Sequence, residues 1–166
     1  MAAVDIADLA HKKDDPLVLA LDQLRLMISL DDGAADGDWP DAVWHALSLI
    51  EKGVRRHLES TRAGGQSAPE IDQRPSLSRH KEELCRLYRD LREQVLALKW
   101  EARRTAQALD PNTQAYRHPV ASSKRLRIVS GLRERLARIV ADLEKALGAE
   151  NALVLESVTT DIGVGD

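Results

Sequence analysis

Four stretches of this chain carry apolar side chains three and four residues apart, and each is bounded by Gly, Pro or Asp. That spacing gathers one stripe onto one side of a helix, and no run of alternating residues offers a strand instead. In PLVLALDQLRLMISL one stripe passes through Leu17, Leu21, Leu24 and Ile28, and a second through Leu19, Gln23, Leu26 and Leu30. An apolar surface that wide predicts a first helix largely surrounded by neighbours. Pro16 suits the first helical position, with Asp14 or Asp15 as its cap. Gly33, Gly37 and Pro40 then stop the helix, and Trp39 is expected in that loop.

The second helix is predicted from about Pro40 to Arg62, with a stripe of Val43, Ala46, Leu47, Ile50, Val54, His57 and Leu58. Gly53 lies in its middle, at a cost of about 1 kcal/mol relative to Ala, which points to a close backbone approach. AGGQSAPEIDQRP makes the 63–75 loop. The third helix opens at Ser76 and runs towards Ala108 through Leu77, His80, Leu84, Leu87, Leu91, Val95 and Leu98. After DPNTQAYRHP the fourth begins near Ser122 and reads Val129, Leu132, Leu136, Ile139, Leu143, Leu147, Glu150 and Val154. The expected fold is all-α, an antiparallel up-down four-helix bundle over residues 16–158. A short N-terminal extension (1–15) precedes it and a C-terminal tail (159–166) follows.

Composition narrows the function classes. There is no Phe and aromatic residues make up 3 % of the chain, so Leu, Ala and Val must fill the interior, which favours packed helices. A formal net charge of −3 gives no nucleic-acid footprint and no membrane-seeking patch. The cations that open the fourth helix, Lys124 to Arg138, fit a solvated face. No stretch approaches the roughly 18 apolar residues that span a bilayer, and MAAVDIADLAHKKDD lacks the order of a secretory signal. Cys85 is the only cysteine, so no internal disulfide forms and a reducing cytoplasm suits the chain. No phosphate loop, Ser-His-Asp or Cys-His arrangement supports catalysis.

The informative residues are ionisable groups on the inward stripes: His57, His80 and Glu150, with Gln23 as a fourth polar group. Such groups are costly to bury unpaired. Gln23 is early in the first helix, His57 late in the second, His80 early in the third and Glu150 late in the fourth, so antiparallel packing allows all of them at one end of the bundle. Two readings follow. In one, Glu150 accepts hydrogen bonds from His57, His80 or Gln23 in a metal-free polar core. In the other, His57, His80 and Glu150 hold a single iron or zinc ion, since two imidazoles and a carboxylate form a recognised ligand set.

The segments LDQLRLM, RRHLEST, SLSRHKEEL and GAENALVLESV resemble the hemerythrin-like (HHE cation-binding) family, and the resemblance spans Pro16 to Val158. It implies a four-helix bundle whose ancestral centre is a pair of non-haem irons, with oxygen-binding, redox or sensory roles. Several ligand positions have changed: Gln23 stands where a histidine is expected, Thr61 where a carboxylate is, and Leu84 and Ala146 or Lys145 where further histidines would be. His57, His80 and Glu150 remain, too few for two irons. The resemblance therefore implies a degenerate metal site and a non-catalytic binding, sensory or scaffold module with no cofactor. The alternative is a protein with one iron or zinc ion and an oxygen- or redox-related role. A protein partner is the class left open; nucleic acid and membrane are not expected.

Overall fold

A computed structural model describes residues 15–30, 38–63, 75–110 and 120–161. The expectations for residues 1–14, for the break at Gly33 and Gly37, for most of the 63–75 loop, for the 111–119 connection and for the end of the tail lie outside the described residues. Within them the chain is all-α, with four helices: α1 (Pro16–Ser29), α2 (Trp39–Ala63), α3 (Pro75–Leu109) and α4 (Val120–Asp161). Residues 159–161, expected as tail, continue α4. No helix breaker intervenes after Val158 until Gly163.

Cross-helix pairs give the direction of each neighbour. Leu17 meets Gly53, while Met27 meets Trp39, so α1 and α2 are antiparallel. His57 lies beside Tyr88, and Glu51 pairs with Lys99, which reverses α3 against α2. His80 pairs with Glu156, and Glu101 with Arg135, which reverses α4 against α3. Arg25 closes the ring by joining Glu144 across α1 and α4 at 2.6 Å. The result is the up-down-up-down bundle expected from the spacing.

Each long helix buries residues in alternating steps of three and four. On α3 these are Leu84, Tyr88, Leu91, Val95, Leu98, Ala102 and Thr105. On α4 they are Val129, Leu132, Leu136, Ile139, Leu143 and Ala146, then Leu153 and Ser157, with Glu150 in the same series. Val43, Leu47, Ile50 and Val54 form the series on α2, and His57 is its next member. Steps of three and four average 3.5 residues, which keeps one seam on a partner when helices incline slightly.

This seam corrects four expectations. On α3 it passes through Tyr88, so Leu87 is half-buried and His80 is exposed rather than inward. Leu77 and Leu84 stay on the seam, whereas positions 80 and 87 belong to the neighbouring edge of the same helix. On α4, Leu153 is buried while Val154 is 56 % exposed. On α1 the second stripe is open: Leu19, Leu26 and Leu30 are 53 %, 64 % and 38 % exposed, because among the described residues α1 packs chiefly on α2 and α4. Trp39, expected in a loop, begins α2 and is buried. Its indole N–H donates to the Met27 carbonyl at 3.3 Å, satisfying one of the unpaired carbonyls at the end of α1.

Gly53 fulfils the expectation of close approach. A Cβ built there would lie 2.8 Å from Leu17 Cδ1 and 2.9 Å from Leu17 Cβ, so α1 sits almost on the α2 backbone. Gly131 and Gly148, also helical, have nothing within 4 Å of such a Cβ. Gly53→Ala is therefore expected to destabilise the bundle by about 1–3 kcal/mol through overpacking. Gly148→Ala should stabilise it by roughly 0.5–1 kcal/mol through helix propensity alone. Urea unfolding followed by circular dichroism should show these opposite signs; equal shifts would refute the packing at Gly53.

Candidate functional site

The polar cluster is built from one residue on each helix or its cap. Asp15 is the N-cap of α1, where its Oδ1 accepts the Leu17 N–H at 2.8 Å. Its second oxygen, Oδ2, lies 3.0 Å from Nε2 of His57 on α2. The other ring nitrogen, Nδ1, lies 2.8 Å from Oε2 of Glu150 on α4. Tyr88 on α3 donates its hydroxyl to the same Oε2 at 2.7 Å. The Tyr88 ring is fully buried, and its centroid lies 5.6 Å from that of the His57 ring. His57, Asp15 and Glu150 keep only 16 %, 24 % and 26 % of their side-chain surface.

The imidazole thus lies between two carboxylates, one at each nitrogen. Only the doubly protonated ring donates to both. Burial draws the His57 pKa down, but the hydrogen bond and charge of Glu150, followed by those of Asp15, outweigh it. The net effect raises the pKa above the ordinary 6.5. The Tyr88 hydroxyl is pushed well above its ordinary 10.0 by burial, then by the charge and hydrogen bond of Glu150, so it stays a donor.

The four polar groups expected at one level separate into three places. His57 and Glu150 meet. His80 lies apart, half-exposed, with its Nδ1 3.0 Å from Oε2 of Glu156. Gln23 is exposed on the edge of an apolar groove of about 580 Å³ between α1 and α2, beside Leu26, Leu30 and Leu49. The positions where the resemblance led to an expectation of further ligands hold ordinary structural residues: Leu84 and Ala146 are core, and Thr61 donates its hydroxyl to the His57 carbonyl on its own helix. Asp15 and Tyr88 complete the cluster. Asp15 was visible only as a candidate cap. Tyr88 had a signal, since it falls on the step-of-four from Leu84 and the step-of-three to Leu91.

As placed, these side chains do not fit a metal ion. The gaps of 2.8 and 3.0 Å are hydrogen-bond lengths. The three expected ligands do not converge on one point: His57 turns its two nitrogens to different carboxylates, and His80 is paired with Glu156. Among the described residues no group of three His, Cys, Asp or Glu side chains is placed to hold a metal ion.

Compared with known proteins, the chain matches no family model, no curated protein and no solved structure. Among the described residues no helix is long and apolar enough to cross a membrane.

The raised pKa sets a pH dependence. A base whose proton is held more tightly in the folded state stabilises fully below its unfolded pKa, here near 6.5. That contribution disappears as pH rises through the higher folded value. The His57 ring in the native protein is expected to titrate above 6.5 by NMR, and Glu150→Gln should lower that midpoint. A midpoint below 6.5, or one unmoved in Glu150→Gln, would contradict the arrangement. Tyr88→Phe, which removes one donor to Glu150, should cost about 1–2 kcal/mol in urea unfolding.

Proposed function

We propose that the protein is a hemerythrin-like four-helix bundle that acts as a non-catalytic binding, sensory or scaffold module in a reducing, cytoplasmic setting, with a protein partner. One observation carries this reading: the imidazole of His57 is taken up on both sides within the cluster. Both nitrogens of His57 face carboxylates, and the Tyr88 hydroxyl is spent on Glu150. No lone pair of the imidazole is left for a substrate proton or a metal ion.

The bundle architecture and the meeting of His57 with Glu150 support a hemerythrin-like ancestry, with an internal ion pair in place of ligands. The open leucines on α1 and Leu49 on α2 support a binding role, because contiguous exposed apolar surface marks interaction sites. Elemental analysis of protein purified without added metal is expected to find far less than one equivalent of iron or zinc. About one equivalent per chain, lost in a His57→Ala, His80→Ala double variant, would overturn the proposal in favour of a single-metal protein.

A further inference from the structure

A second cleft, far simpler in chemistry than the polar cluster, lies between the end of α2 and the first half of α3. It measures about 550 Å³ and is lined by four cations, Arg62, Lys81, Arg86 and Arg89, against one carboxylate, Glu82. Cys85 lies among them. The concentration of positive charge stands against a chain whose net charge is −3.

The arginines have alternatives that they do not use. Asp90 stands four residues after Arg86 and Glu93 four after Arg89, a spacing that favours ion pairs on a helix. Elsewhere such pairs form: Arg79 reaches Glu83 at 3.2 Å and Arg55 reaches Glu59 at 3.9 Å. Arg62, Arg86 and Arg89 make no ion pair with another described residue and face the cleft instead. Like charges held together repel, and a multiply charged anion relieves that repulsion while offering oxygens to the guanidinium forks.

We propose that this cleft is a binding site for a small phosphate-bearing anion. Its volume is in the range of small-molecule sites. No aromatic side chain lines it, so the stacking platform of a single-stranded nucleic-acid site is missing among the described residues. The site is separate from the His57 cluster and does not depend on how that cluster is read.

Pyrophosphate is the probe, titrated into the full chain at low ionic strength by calorimetry. Saturable binding is expected. Arg86→Glu combined with Arg89→Glu should weaken it about tenfold or more, while Arg55→Glu, an exposed reversal outside the cleft, should leave it within about twofold. Because Cys85 is the only cysteine, its reaction with a neutral maleimide reports on the cleft directly, and pyrophosphate should slow it. The proposal is overturned by non-saturable binding, by equal losses in the Arg55 and Arg86/Arg89 variants, or by an unchanged maleimide rate. Tighter binding of a single-stranded oligonucleotide than of pyrophosphate, abolished by the same double reversal, would overturn it in favour of nucleic acid.

Discussion

Asp15 uses its two oxygens for two levels of structure at once. One starts α1 by accepting the Leu17 N–H; the other holds the imidazole of His57 on α2. Through His57 the connection continues to Glu150 on α4 and Tyr88 on α3. A helix of 14 residues is marginal alone in water. α1 therefore depends on its apolar stripe, its contact with Gly53 and this ionic hold, and the exposed Arg25 pairs with Asp22 and Glu144 add little.

The order of the helices and their boundaries were legible because apolar periodicity and Gly/Pro breaks are local signals. The rotation of each helix was less so. On α3 a stripe through His80 and Leu87 and a seam through Tyr88 differ by one residue, and both contain Leu77, Leu84, Leu91, Val95 and Leu98. Periodicity alone does not choose between them; the steps of three and four through Leu84, Tyr88 and Leu91 do, once α4 shows the same alternation. On α1 two stripes looked equally apolar. Which one is covered depends on having two neighbours rather than three, a tertiary fact absent from the local pattern.

The candidate site was legible to the same extent. His57 and Glu150 occupy core positions of their own helices, so their meeting follows from depth and register. His80 was drawn into the same group by a rotation of one residue, and in the bundle it has a nearer carboxylate in Glu156. Asp15 entered from outside the helical pattern altogether, because a cap residue has no place in a stripe. Sequence reasoning thus finds charged groups that interrupt a seam more readily than those that close over its end.

The cluster's consequence is register as much as stability. With no Phe, and with Tyr88 and Trp39 its buried aromatics among the described residues, most of the interior is Leu, Ala, Val and Ile, whose shapes distinguish one alignment from another only weakly. Slide α4 by one heptad and its leucines still meet apolar partners. The residue opposite His57 would then be Leu143 or Ser157 in place of Glu150. Either exchange leaves a mostly buried imidazolium with one carboxylate and Tyr88 without its acceptor. An unmatched buried charge is far costlier than an imperfect leucine contact. Directional bonds from His57 and Tyr88 to one oxygen of Glu150 therefore select the alignment that the apolar seam leaves nearly degenerate.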